Sequence, residues 1–260
     1  MKINNIHLIH FSPTGTTRKV IDAIAEGLNP EKVYRYDLTF PLDKTEQHFT
    51  DGVAVIGAPV YAGRIPVDCL ERIAQYKADN VPTVLVALYG NREFEDALVE
   101  LRDIASVQGF NIIAAGAFIG EHSYSTSNFP IAVGRPNVDD LKIAITFGEQ
   151  IADKINRKDF NTPEIGGHVP YKERVKFGGV APETDAEICT LCGRCAEVCP
   201  VRVITVSNSV TTQAENCIMC SACVKECAVG ARIFNHPIMI ERQEFLVKNC
   251  SVPKAPKLFL

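Results

Sequence analysis

The sequence predicts an α/β chain: a doubly wound parallel sheet over residues 1–157, followed by a small cysteine-rich α+β domain. Two observations carry this. Short, β-branched apolar runs alternate with amphipathic segments through the first part, and eight of the ten cysteines fall in two copies of one spacing in the second. A third observation, a hydroxyl-rich stretch between the first apolar run and the first amphipathic segment, places a site on one edge of that sheet.

The apolar runs are Ile3–Phe11, Val33–Tyr36, Gly52–Ala58, Val81–Tyr89 and Ile112–Ile119. Runs of this length and composition are buried parallel strands. Between them, Thr16–Leu28 carries Val20, Ile21, Ile24 and Leu28 at helical spacing. The same period recurs over Val67–Tyr76, Phe94–Val107 and Val138–Ile155. The connection Leu38–Asp51 is short and holds Pro41, which predicts an abbreviated helix there. Strand–helix alternation of this kind builds an open sheet covered on both faces. A dehydrogenase-type dinucleotide fold would place G-x-G-x-x-G after the first strand, and that pattern is absent.

The first strand runs instead into Ser12-Pro13-Thr14-Gly15-Thr16-Thr17. Backbone N–H groups at a helix start attract an anion, the hydroxyls add donors without positive charge, and Gly15 lets the backbone approach closely. Helix capping alone accounts for one hydroxyl, not four. The segment resembles the phosphate loop of flavodoxins, and the strand–helix order is similar to theirs over the whole first domain. That resemblance implies a flavodoxin-like five-stranded sheet of order 2-1-3-4-5 with FMN at the carboxyl ends of the strands. It assigns the phosphate to Ser12, Thr14, Gly15, Thr16 and Thr17. It assigns the isoalloxazine ring to two loops: Pro59, Tyr61, Ala62 and Gly63 after the third strand, and Tyr89, Gly90 and Asn91 after the fourth. A peptide such as that of Gly63 then hydrogen-bonds the reduced ring. His122, after the fifth strand, lies on the same edge and is a further flavin contact, against the plainer reading of a locally packed histidine. The chain departs from many flavodoxins in having no tryptophan and in placing Arg64 and Arg92 in the flavin loops.

The cysteines read Cys189-x-x-Cys192-x-x-Cys195-x-x-x-Cys199 and Cys217-x-x-Cys220-x-x-Cys223-x-x-x-Cys227, related by a shift of 28 residues. This is the run that binds two [4Fe–4S] clusters, each completed by the fourth cysteine of the other run. One cluster takes Cys189, Cys192, Cys195 and Cys227, the other Cys217, Cys220, Cys223 and Cys199. Zinc sites use two cysteine pairs across a longer gap. The repeat resembles the two-cluster ferredoxin domain of bacteria and archaea, except that Pro200 follows the first run and Ala228 the second. Its bounds are 183–236, with halves 183–210 and 211–236. Residues 158–182, rich in Pro and Gly, form a linker whose Lys172, Arg174 and Lys176 meet the acidic first domain. Residues 237–260 form a tail with a short helix around Arg242–Lys248 and an apolar end that docks on the body. Cys69 is a packed apolar residue, and Cys250 carries no ligand.

The formal charge of -4 argues against a nucleic-acid binder. With no apolar run of spanning length and an N-terminus broken by His7 and His10, neither a membrane span nor a signal peptide is expected. Cysteine metal sites then point to a reducing cytoplasm. In domain order the chain resembles flavodoxin–ferredoxin fusion proteins. That implies an electron-transfer flavoprotein relaying electrons between redox partner proteins through FMN and two [4Fe–4S] clusters. The alternatives are an FMN-dependent reductase of a small-molecule acceptor and a non-catalytic protein whose clusters are structural.

Overall fold

The computed structural model describes residues 3–41, 46–175 and 178–260; Lys176 lies outside them. Five strands form where the apolar runs stand: β1 (Asn5–His10), β2 (Lys32–Asp37), β3 (Val53–Pro59), β4 (Val81–Tyr89) and β5 (Phe110–Ile119). All are parallel, in the order 2-1-3-4-5. A sixth strand, β6 (Lys257–Phe259), extends the sheet beyond β5 and runs antiparallel, with Lys257 opposite Ala117 and Phe259 opposite Ala115. The sheet is therefore six-stranded rather than five-stranded, because the apolar tail end docks as an edge strand. β3 and β4 are central and buried almost throughout, whereas β2 is an outer edge and largely exposed.

The helices are α1 (Thr16–Leu28), α2 (Val67–Ile73), α3 (Ala97–Val107), α4 (Val138–Asn156) and α5 (Pro237–Asn249). On one face, α1 and α4 pack Val20, Ile24, Phe147 and Ile151 against Leu8, Val55, Val86 and Phe118. They cross closely enough that a Cβ on Gly27 would lie 1.9 Å from the Ile145 carbonyl oxygen. On the other face, α2 and α3 pack Cys69, Ile73, Leu98 and Leu101 against Ile9, Ile56, Leu85 and Ala87. Asn137 starts α4 with a capping box: its Oδ1 accepts from the N–H groups of Asp139 and Asp140, and Asp140 Oδ2 accepts from the Asn137 N–H. Among the described residues, the connection from β2 to β3 holds a three-residue strand, Gln47–Phe49, paired in parallel with Tyr76–Ala78; the expected abbreviated helix lies partly on residues 42–45, outside the described residues.

The cysteine repeat folds with matching halves. Helical turns Arg194–Glu197 and Ala222–Lys225 follow the second cysteine of each run. Antiparallel pairs join Ile204–Val206 to Val210–Thr212 and Glu183–Thr184 to Arg232–Ile233. The segment before the repeat is bound tightly to α3. Glu100 accepts from both Arg64 and Arg174, Lys172 pairs with Glu95, and Asp96 accepts from the N–H groups of His168 and Lys172. The second domain is also fixed to the first. Arg72 on α2 donates to the carbonyls of Leu38, Thr39 and Pro200, and Lys225 donates to Glu121 and the Ser125 carbonyl. No helix among the described residues is long and apolar enough to cross a membrane.

Candidate functional site

The carboxyl ends of β1, β3, β4 and β5 meet at a cavity of about 240 Å³. Its first wall is the hydroxyl loop. Gly15 stands at the N-cap of α1 with φ 76°, a conformation open to glycine at no steric cost, and donates its N–H to the Ser12 carbonyl at 3.0 Å. The Ser12 hydroxyl accepts from the Arg18 N–H at 3.1 Å, so it braces the loop rather than lining the cavity. Thr14, Thr16 and Thr17 do line it, with the Thr14 and Thr16 hydroxyl oxygens 3.3 Å apart. At the first positions of α1, N–H groups have no intrahelical acceptor, so an anion there finds hydroxyls, free amides and the positive end of the helix dipole.

The remaining walls are largely apolar. Pro59 ends β3 and Val60, Tyr61 and Ala62 follow it, Leu88, Tyr89 and Gly90 come from β4 and its end, and Glu121–Tyr124 from the loop after β5. Met219 of the cysteine domain and Arg242, Phe245 and Leu246 of α5 close the far side. No sequence signal marks these four, because neither the repeat nor the tail has a periodicity aimed at a ligand. Phe245 lines the cavity and is 57% exposed, an aromatic face that a planar ligand would cover. A slot with one anion-binding end and aromatic walls fits a flavin mononucleotide.

His122 is held against Gly90, where a Cβ would come within 2.3 Å of its ring. Its Nδ1 accepts from the Tyr124 N–H at 3.0 Å, which puts the proton of the neutral ring on Nε2. Burial, reinforced by the charges of Arg92 and Lys225, lowers the His122 pKa to about 4. Burial likewise raises the phenols of Tyr61 and Tyr124 well above their usual range and that of Tyr89 to about 12. All four are therefore neutral at pH 7.

Three residues of the flavin loops stand elsewhere. Gly63 (φ 85°) packs on Glu95, outside the cavity lining. Asn91 binds the tail: its Nδ2 donates to the carbonyls of Cys250 (2.6 Å) and Val252 (2.9 Å), and its Oδ1 accepts from the Lys254 N–H (3.0 Å). Arg64 is buried against Glu100, with Nε and Nη2 donating to the two carboxylate oxygens at 3.0 and 2.6 Å. Arg92 does reach the cavity and pairs with Glu95 at 2.9 Å.

The cysteines separate into two groups of four in the crossed arrangement. One small cavity is lined by Cys199, Cys217, Cys220 and Cys223, the other by Cys189, Cys192, Cys195 and Cys227. No three His, Cys, Asp or Glu side chains among the described residues converge as they would on a single ion. Four thiols spread around a cavity suit the larger cubane. Burial raises the thiol pKa of Cys195, Cys217, Cys220 and Cys223, and a bound metal would favour their thiolate forms. Cys69 is fully buried in the apolar core and Cys250 is buried beside Leu246, both free. The first group of four abuts the large cavity. Met219 lies between Cys217 and Cys220 and lines that cavity, while Tyr61 packs on the apolar cluster around Cys217 and Cys220.

Residues 181–228 match the family model of the 4Fe-4S dicluster domain. No curated protein matches the chain. Among solved structures, a flavodoxin from the domain Archaea aligns at 12% identity and TM-score 0.38, covering 58% of this chain and 99% of that one. The flavodoxin of Fusobacterium nucleatum bound to flavin mononucleotide aligns at 15% identity and TM-score 0.39 over 60% of this chain and 99% of that one. Rubredoxin oxygen:oxidoreductase of Desulfovibrio gigas aligns at 15% identity and TM-score 0.41, over 60% of this chain and 37% of that one. The strand order, not these likenesses, carries the fold assignment. The chain joins a flavodoxin-like α/β domain to a 4Fe-4S dicluster domain, the domain order of a flavodoxin–ferredoxin fusion.

Proposed function

We propose that the chain is an electron-transfer iron–sulfur flavoprotein, with one FMN in the large cavity and a [4Fe–4S] cluster at each group of four cysteines. The observation that carries this reading is the shared wall: Tyr61 lines the cavity and packs on the cluster that holds Cys217 and Cys220, and Met219 lines it and packs with Cys217. When bound, FMN supplies a carrier of one or two electrons beside carriers of one. Thr14, Thr16, Thr17 and the start of α1 hold its phosphate. Tyr61, Tyr89 and Phe245 flank its ring and exclude water. His122, neutral at pH 7, offers the Nε2–H as a donor without adding charge. The group Cys199, Cys217, Cys220 and Cys223 is the inner one. The other includes the exposed Cys192 and is where redox partner proteins exchange electrons.

An anaerobic visible spectrum with iron, sulfide and flavin quantified tests the composition: about eight irons and one FMN per chain are expected. Eight irons without flavin, even after FMN is added, would sink the flavodoxin half. Tyr61→Ala, compared with wild type at equal flavin and iron loading, should then slow re-equilibration of electrons between flavin and clusters after flash reduction. A second reading, reduction of a small-molecule acceptor at the flavin, is favoured by one observation. Met219 and α5 cover the side of the cavity that a docking protein would need open. Saturable reoxidation of the reduced flavin by small acceptors would select that reading.

A further inference from the structure

The two halves of the cysteine repeat differ at one buried position. The 28-residue shift lays Ile204 on Arg232, and the strand pairs agree: Ile204 stands opposite Thr212, and Arg232 opposite Thr184. Ile204 is 8% exposed and Arg232 3%. A guanidinium thus occupies a core position that its counterpart fills with an aliphatic side chain.

A buried cation is costly unless an anion accompanies it. Among the described residues, Arg232 meets two threonine hydroxyls and one of the candidate cluster sulfurs. Its Nη1 donates to Thr184 Oγ1 at 2.6 Å, its Nη2 to Thr212 Oγ1 at 3.0 Å, and Nη2 lies 3.8 Å from Cys223 Sγ. Among the described residues no carboxylate pairs with it, and Nε is buried without a partner. The side chain also lines both four-cysteine cavities. The two threonines fix the fork between them, one from each half of the repeat.

We propose that Arg232 is the shared counter-charge of the two cysteine sites, offsetting the negative charge of both clusters and holding both reduction potentials up. The proposal rests on the two-cluster reading. A cubane with four thiolates is anionic and becomes more so on reduction. It gains one electron from a one-electron carrier protein, which is oxidised; no bond forms or breaks and no proton moves. A fixed cation in a low-dielectric interior favours the more negative form, and charge and hydrogen bonds at the sulfurs are what set cluster potentials. Because one guanidinium serves both sites, it moves the pair together and leaves the step between them nearly level.

The test is Arg232→Ile, which makes the second half match the first. Iron and sulfide are counted in wild-type holoprotein, and both clusters are then titrated by electron paramagnetic resonance at fixed ambient potentials. The variant should load fully. At each wild-type midpoint, the reduced-to-oxidised ratio of both clusters should fall at least tenfold, about 59 mV for a one-electron couple. Unchanged potentials, or a fall confined to one cluster, would overturn the proposal. Should Arg232→Ile fail to load, Arg232→Lys and Arg232→Gln decide the matter. Loading with near-wild-type potentials in the Lys variant alone supports a role for charge; equal failure of both shows a role of shape and overturns it. A wild-type chain with only about four irons would overturn the two-cluster reading itself, a failure visible before any variant is made.

Discussion

Glu100, in the first turn of α3, is the point at which the linker and the loop after β3 are tied to the sheet domain. Its buried carboxylate accepts from Arg64 Nε at 3.0 Å, Arg64 Nη2 at 2.6 Å, the Ile65 N–H at 2.9 Å and Arg174 Nη2. The side chains of Arg64 and Glu100 are 11% and 7% exposed, so solvent screens their interaction little. Glu100→Gln keeps the shape, removes the charge and leaves two guanidinium groups facing each other. Breaking a buried pair in this way costs about 3–5 kcal/mol. At about 2–4 °C per kcal/mol, the melting temperature should fall by roughly 10 °C. Thermal unfolding of anaerobic holoprotein measures this, and limited proteolysis should show the chain near Arg174 becoming susceptible. A loss below about 1 kcal/mol, the worth of an exposed pair, would refute the reasoning. So would a triple variant, Arg64→Met and Arg174→Met with Glu100→Leu, that recovered none of the loss, since apolar side chains of similar volume replace a buried ion cluster at little cost.

Gly148→Ala places a Cβ 2.2 Å from the Ile24 carbonyl oxygen; forcing α1 and α4 apart should cost about 1–3 kcal/mol, read as a lowered melting temperature. His122 has a folded pKa of about 4 against 6.5 unfolded, so between those values the unfolded chain binds more protons and stability falls as pH falls. His122→Gln should flatten that limb of the melting-temperature curve relative to wild type, and an identical slope counts against the burial argument. Asn91→Ala removes three hydrogen bonds to the tail, about 1 kcal/mol each. Hydrogen exchange across residues 250–259 should accelerate; unchanged protection would show that β6 alone holds the tail.

The sheet was legible because β1, β3, β4 and β5 each carry an apolar run rich in β-branched residues, while β2 shows only the short stretch Val33–Tyr36, and α1 and α4 because each repeats its apolar face over three or more turns. β6 was not legible as a strand: Lys257–Phe259 is three residues long and gains its partners only from the edge of β5. α5 begins at Pro237 rather than near Arg242, with His236 Nδ1 accepting the Ile238 N–H as a cap; Pro at the first helical position was an available signal. The cysteine ligands could be read from spacing because a cubane dictates it. Gly63 and Asn91 sit at positive φ but away from the cavity, because loop residues are positioned by long-range partners, here Glu95 and the tail, that no local pattern encodes. Arg232 was hidden in plain view: an internal alignment exposes it only once burial shows that the aligned position is core.

The chain leaves the sheet domain after α4 and returns to it as β6, so the cysteine domain is in effect an insertion fastened at both ends. A single tether would raise the local concentration of one redox site near another and let them swing together and apart. Two fastenings, with Arg72 clasping Pro200 and Lys225 clasping Glu121 between them, make a frame instead. The separation between inner cysteines and cavity is then fixed by masonry rather than by chance encounter. Under the proposed relay, internal transfer in such a frame should be insensitive to solvent viscosity and to lengthening of the linker, and only exchange with outside carriers should slow in a thicker medium.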